Sequence, residues 1–395
     1  MKIKSTSMLL ALIMLAALPL QAAERGADDA IEAGLRWLAE NQLTEGAEVG
    51  AWQTGRPQYR PAMASFAGLA FLANGYLPNE GEYGEVIDRA MTYVMNSMDP
   101  EGYLGQGDPS GMYIHAICTL FGLSYLGTAN DPEKEKELAE WCRRSLETIT
   151  EAQQVPRPAI AQGGWRYTPY TTEADLSVTS WQLLALHAAR QCGYQIDSSA
   201  FDAGLAYMDR AYTEAKKNND RQDEGEVEAE VAVEEAETAA DERMQDGKKE
   251  EYIKGYVYRP GVSTQPEPSV TGVAIFIKSL LEEEQDEKMR QGLSFLQETP
   301  PSWGGEQYGG YYFFALFYIS QGMFQLGGET WEDYASNMTR ILIEHQNGDG
   351  SWPFPPDNRS QSRLTGSSYP TALSILVLSL EKQYLPMYQR QKSLF

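Results

Sequence analysis

Internal repetition constrains this chain more than any other feature. Six times a helix-forming stretch carrying a small residue and an aromatic or aliphatic pair runs into a Gly-and-aromatic turn, then into a second, more apolar helix. The first unit holds Gly34-Leu35-Arg36-Trp37-Leu38, Gln42, Gly50-Ala51-Trp52 and a helix from Ala62 through Phe71. The last holds Ile341-Leu342, Gln346, Gly350-Ser351-Trp352 and a helix from Ala372 through Leu380. Between them, four further turns carry Tyr103, Trp165, Tyr256 and Trp303. The first helix of each pair is amphipathic, as from Asp28 to Asn41, and belongs outside. The second is apolar nearly all round, as from Thr179 to Ala189, and belongs inside. Six such hairpins make two concentric layers. The last inner helix is too apolar to serve as a solenoid cap, so the layers are expected to close into a ring.

Three segments or properties frame this unit. Lys2 and Lys4 precede an apolar run from Met8 to Leu18, with Ala22 and Ala23 at its exit. That pattern predicts a cleaved export signal over 1–23 and a single domain over 24–395. An acidic insertion at about 213–252 separates the third and fourth turns; from Glu214 to Glu251 it has 15 acidic against 6 basic residues and almost no apolar periodicity, so it is expected to be disordered. The formal net charge of −24 repels nucleic acid and anionic lipid. Three cysteines are too few for a disulfide scaffold, although Cys142 and Cys192 fall at one end of a hairpin where a disulfide is conceivable.

The spacing of Gly34 to Leu38, Gln42 and Gly50-Ala51-Trp52, repeated more tightly from Ile341 to Trp352, resembles the Gln-Trp repeat of the squalene and oxidosqualene cyclases. Protein prenyltransferase β-subunits share the ring and look similar at the Ser-Val-Thr helix starts. The resemblance implies an all-α fold, an α/α toroid of about six hairpins, over nearly all of the mature chain. It implies little about chemistry. The cyclases protonate an alkene with a segment Asp-x-Asp-Asp-Thr-Ala, whose middle Asp is the proton donor. Here the segment reads Asp175-Leu176-Ser177-Val178-Thr179-Ser180, so the donor position is Ser177 and a hydroxyl stands where a strong acid is needed. Asp175 itself reads first as a helix N-cap. The prenyltransferase zinc set is also missing: His115 and Cys118 lie one turn apart, and two donors do not make a zinc site. Gly304-Gly305-Glu306-Gln307 is similar to the Cys-Gly-Glu-Gln of thioester domains, with Gly304 in place of the reactive Cys.

Candidate functional residues are those the ring would gather at the mouth of its cavity. Asp175, Glu173 and Glu306 are the catalytic candidates, with Glu267, Asp349 and Asp357 as further carboxylates on the turns. His115, Tyr113, Arg166, Tyr167, Tyr258, Arg259, Tyr311, Tyr312 and Tyr369 are candidates for binding. Trp165, Trp303 and Trp352 read first as repeat anchors and second as surfaces for a sugar or an isoprenoid. Arg166-Tyr167 and Tyr258-Arg259 recur in adjacent units, as repeat architecture or as a cavity rim. No nucleotide loop, zinc-protease helix or nucleophile-elbow serine occurs, and no cofactor or metal is expected.

Three functions fit these residues. The first is an exported ligand-binding or interaction ring without cyclase chemistry, its partner an unidentified apolar small molecule or protein. The second is an enzyme on an isoprenoid or other apolar ligand, which requires a deep cavity lined by Tyr113, Tyr311, Tyr312 and Tyr369. The third is a glycan-processing enzyme, which requires two carboxylates at an open polar groove. The residues leave open whether the protein is an enzyme.

Overall fold

The computed structural model describes residues 26–128, 131–217, 251–281, 285–308, 310–356 and 364–389. The expected export signal, most of the acidic insertion and Asp357 lie outside these residues.

Six outer helices alternate along the chain with six inner ones among the described residues. The outer helices are α1 (26–40), α3 (Gly84–Asn96), α5 (Pro132–Gln154), α7 (Ser198–Arg210), α9 (Glu287–Gln297) and α11 (Gly328–Glu344). The inner ones are α2 (Arg60–Leu72), α4 (Gly111–Tyr125), α6 (Leu176–Gln191), α8 (Pro268–Leu281), α10 (Tyr312–Leu326) and α12 (Ser368–Leu378). Burial follows the expected division. Every residue of α2 from Pro61 to Leu72 is buried, whereas α3 buries one stripe from Val86 and Ile87 to Val94. Four helix starts are fixed by aspartate caps: Asp131, Asp175, Asp197 and Asp286 each accept backbone N–H groups of the first turn.

The inner helices pack in the order α2, α4, α6, α8, α10, α12, and α12 packs back on α2, so the ring is closed. One set of side chains repeats around it. The indoles of Trp52, Trp165 and Trp352 donate Nε1–H to the carbonyls of Leu38, Ile149 and Leu342 in their own outer helices, at 2.7–2.8 Å. The backbone N–H groups of Trp165, Tyr256 and Trp352 donate to the hydroxyls of Thr179, Thr271 and Thr371 on the inner helices, at 3.0–3.1 Å. The side-chain amide of Gln153 donates to Gly163 O of its own turn and to Ala200 O of the next outer helix, both at 2.9 Å. Gln42 does the same toward Val86 O at 2.9 Å. Each Trp thus joins turn to helix, and each Gln joins one hairpin to the next. The turn glycine is required where the next outer helix passes: Gly163 has φ +85°, and a Cβ there would lie 2.2 Å from Ala203 O.

Aromatic side chains fill the middle of the ring. Trp181 of α6 stacks on Phe317 of α10 with centroids 5.4 Å apart and meets Phe66 of α2 edge-on at 5.7 Å. Tyr369 of α12 joins Phe66 and Phe313. At the end where the inner helices finish, Leu385, Met387 and Tyr388 are buried against α4 and α6, and His187 Nε2 lies 2.7 Å from Gln389 O. Outer layer and inner layer are also joined by an ion triad, with Lys278 fully buried between Asp209 (2.6 Å) and Asp286 (2.7 Å).

The boundaries of the insertion need correction. Strand β1 (Tyr212–Lys216) pairs antiparallel with β2 (Tyr252–Tyr256), Tyr212 opposite Tyr256 and Lys216 opposite Tyr252. Residues 213–216 and 252, expected to be unstructured, are therefore a β-ribbon whose root is fixed by Tyr256. Tyr, Thr and Ile in these stretches suit a half-buried strand, and the acidic composition masked that signal.

Candidate functional site

The loop leading into α6 is built around Arg157 and Asp175. Arg157 donates to the carbonyls of Ala152, Gln153 and Val155 at 2.8–3.1 Å, which covers the open end of α5. Asp175 N–H then donates to Trp165 O at 3.0 Å, closing the loop on itself. Two carbonyls of the recurring Arg-Tyr and Tyr-Arg pairs serve the start of a neighbouring inner helix. Tyr167 O accepts from Met112 N at 2.9 Å, and Tyr258 O accepts from Leu176 N at 3.0 Å. Their backbones are therefore repeat architecture, while their side chains gather around Asp175.

Asp175 is fully buried. Its Oδ1 accepts from Val178 N and from Ser177 Oγ, both at 2.8 Å, and its Oδ2 lies 3.4 Å from Arg166 Nε without a well-aligned hydrogen bond. The Tyr258 hydroxyl borders the carboxyl. Burial pushes Asp175 up to about 6, against the opposing pull of Val178 N–H, Ser177, Arg166 and Tyr258. Ser177, the hydroxyl at the cyclase donor position, also bonds Tyr113 OH. The Tyr258 hydroxyl meets that of Tyr167 at 2.8 Å, and the Arg166 guanidinium lies 4.6 Å from the Tyr167 ring centroid. Burial first, and then the Asp175 charge, raise the Tyr258 phenol, so it stays protonated. Half-exposed Glu173 completes the cluster. It accepts from Arg166 Nη1 at 2.8 Å and from Arg259 Nη2 at 2.7 Å.

This arrangement holds one protonatable carboxyl out of water and a second carboxylate at the surface, with Arg166 contacting both. The Tyr258 hydroxyl stands beside the first without an aligned hydrogen bond to it, and is bonded to the Tyr167 hydroxyl. Such a site can store, donate and recover a proton beside a polar ligand.

The structure thus brings together Tyr113, Arg166, Tyr167, Glu173, Asp175, Tyr258 and Arg259. It separates the others. Trp165 and Trp352 are buried with their indoles committed to outer-helix carbonyls, so neither offers a face to a ligand. His115 is buried with Nε2 2.9 Å from Ser145 O on α5, facing the outer layer and not the ring centre. Glu306 opens a short 3-10 turn (Glu306–Tyr308) of the fifth unit. Trp303 stacks on His345 at 4.2 Å. Tyr311, Tyr312 and Tyr369 stand apart from the Asp175 cluster: Tyr311 is exposed, Tyr312 packs on Trp303 and Phe313, and Tyr369 packs on Phe66 and Phe313. In the ring centre, where an apolar substrate would need open space, the aromatic side chains of α2, α6, α10 and α12 pack on one another. Two residues at the site escaped the sequence reading. Arg157 shapes the loop, and Tyr207 is a phenol raised by burial first and then by the nearby Asp175 charge. Arg157 sits in no distinctive motif, and Tyr207 holds the place in the fourth repeat that Trp37 holds in the first, which marks it as architecture and not as a site residue.

Two layers of helices closed on themselves, with inner-helix starts joined at one polar end, define an α/α toroid. Solved structures of that class match over nearly the whole chain. The α-1,6-mannanase GH76A of Salegentibacter sp. HEL1_6, an inactive variant in complex with α-1,6-mannotriose, aligns with TM-score 0.56 and 9% identity, covering 90% of this chain and 100% of that one. A family 76 glycoside hydrolase from a bovine Bacteroides thetaiotaomicron strain gives 0.55 and 10%, covering 90% and 77%. The type II terpene cyclase MstE from Scytonema gives 0.49 and 14%, covering 92% and 99%. At these identities the likeness is one of fold. No protein-family model and no curated protein matches the sequence.

Proposed function

We propose that the protein is an exported glycan-processing enzyme whose reaction centre is the Asp175–Tyr258–Glu173 cluster. The observation that supports this is the pair of carboxylates, one buried and protonatable near neutral pH, one half-exposed, both in contact with Arg166. Glycoside hydrolysis needs a proton donor for the leaving oxygen and a second carboxylate for the sugar or the water. Asp175 has no solvent exposure, so in this reading it holds the proton and Tyr258 delivers it, while Glu173 is the second carboxylate. Arg166 and Arg259 hold Glu173 in place, and Tyr113 with Ser177 holds Asp175. The polar mouth and the aromatic-filled centre both suit a hydroxylated ligand better than an isoprenoid. The 24–395 ring would act as one unit after removal of the export signal.

The family 76 neighbours do not transfer their residues. Their inactive forms replace two adjacent aspartates, whereas the adjacent pair in this chain, Asp28-Asp29, is exposed on the outer helix α1. This difference, with the use of Asp175 as a helix cap, favours a second reading: a glycan-binding ring without turnover.

Incubation of the purified protein with α-1,6-mannan and a panel of neutral polysaccharides, read by release of reducing ends, separates the two. Cleavage that is lost in Asp175→Asn and Tyr258→Phe supports the enzyme. Retained binding without cleavage supports the ring that only binds, and neither binding nor cleavage removes the glycan reading altogether.

A further inference from the structure

Two of the three thiols converge on one point of the fold. Cys142 is on outer helix α5, Cys192 is the C-cap residue of inner helix α6, and both sulfurs face the last turn of α4. A Cβ on Gly122 would stand 2.5 Å from the Trp141 ring and 3.2 Å from Cys142 Sγ, so the bare glycine leaves room chiefly for the indole and places the Cys142 sulfur beside it. Cys192 Sγ donates to Leu123 O, the neighbouring carbonyl, at 3.3 Å. Tyr194, whose hydroxyl donates to Ala139 O at 2.9 Å, borders both sulfurs, and they lie near enough for charge on Cys192 to be felt at Cys142. Cys118 stands apart, buried toward Ser65.

We propose that Cys142 and Cys192, free thiols in this structure, are a modification site that closes to a disulfide joining α5 to α6. Closure requires the Cys192 side chain to give up its bond to Leu123 O. The oxidant is a small-molecule or protein disulfide. The Cys192 thiolate, the more exposed of the two, attacks one oxidant sulfur, forms a mixed disulfide and releases one oxidant thiolate. The Cys142 thiolate then attacks Cys192 Sγ, forms the internal bond and releases the second. The two cysteines lose two protons and two electrons; the oxidant gains both and leaves as two thiols. Burial pushes the Cys192 thiol up to about 11, so the exchange is slow on the folded protein near neutral pH and faster at pH 9 or while the chain folds. The bond closes a loop of about 50 residues, a length at which cross-links stabilise.

The test uses the full chain with glutathione disulfide at pH 9, followed by alkylation in denaturant without reductant and peptide mapping. The expected result is alkylation of Cys118 alone, with a joined Cys142–Cys192 peptide that separates on reduction, and a higher unfolding midpoint than the reduced protein. In Cys142→Ser, Cys192 should instead stay capped by glutathione, because the resolving thiol is gone. Alkylation of all three thiols, a wild-type protein that stops at the glutathione-capped Cys192, or a bond to Cys118 each overturns the proposal.

Discussion

The side-chain amide of Gln346 donates to Ala30 O at 2.8 Å and to Gly350 O at 2.9 Å, so the last repeat grips the first outer helix across 316 positions of sequence. It is the bond that Gln42 and Gln153 make between consecutive hairpins, used here to close the ring.

Gln346→Ala should therefore destabilise the protein as much as Gln153→Ala does, by about 1–3 kcal/mol, since each leaves two carbonyls without their donor. Urea unfolding of the two variants side by side checks this. A cost near zero for Gln346→Ala would mean that the ring does not unfold as one closed body.

Gly350 has φ +94°, and a Cβ there would lie 2.3 Å from Ala33 O. Gly350→Ala is expected to cost about 2 kcal/mol or more from backbone strain and the clash. Gly348→Ala, two residues away with open space around the added Cβ, is the control and should stay within about 0.5 kcal/mol of wild type in the same assay.

Asp175 sets a pH signature. Its folded value is raised from 3.8 to about 6, so its contribution is fully present below the unfolded value and is lost as pH rises through about 6. Asp175→Asn keeps the cap acceptor and removes the titration. Relative to that variant, wild type should lose up to about 3 kcal/mol of stability between pH 4 and 6. His115 and His187 are held down to about 4 by burial and act with the opposite sign over an overlapping range, which is why the comparison with the variant is needed. Parallel stability curves for the two proteins would show that Asp175 is not buried as a protonatable acid.

Tyr258→Phe keeps the ring packing and removes the hydroxyl between Asp175 and Tyr167. In an active protein it should lower kcat on the cleaved glycan by roughly 100-fold, as loss of a proton donor does, with KM little changed. Unaltered kcat would leave Asp175 without a route to substrate.

Met387 and Tyr388 close the far end of the ring and are buried. Met387→Ala should cost roughly 2–5 kcal/mol, the range for an apolar side chain removed from a packed core. Differential scanning calorimetry reads it as a lower midpoint. An unchanged midpoint would show that the segment rests on the ring without supporting it.

The repeat was legible because its parts answer local needs. A turn glycine beside an aromatic recurs in each hairpin, and in the first, third and last a glutamine before it joins the hairpin to its neighbour. The same logic made Trp165 and Trp352 ambiguous. Only the structure shows their indoles turned inward to Ile149 O and Leu342 O, which takes them out of ligand binding. The apolar inner helices could enclose an empty barrel or a filled one. The pattern is the same in both cases, because it reports that a face is buried and not what buries it.

The sequence by itself determined the six hairpins, the inner and outer faces and the cap at Asp175, because each depends on residues within a turn or two of chain. Tertiary structure decided three things: that Gln346 reaches Ala30, that Trp181, Phe66 and Phe317 fill the centre, and that Tyr258 arrives beside Asp175 from across the acidic insertion. Those are contacts between distant segments. They follow from ring closure, which fixes how many hairpins meet and which side chains then face each other.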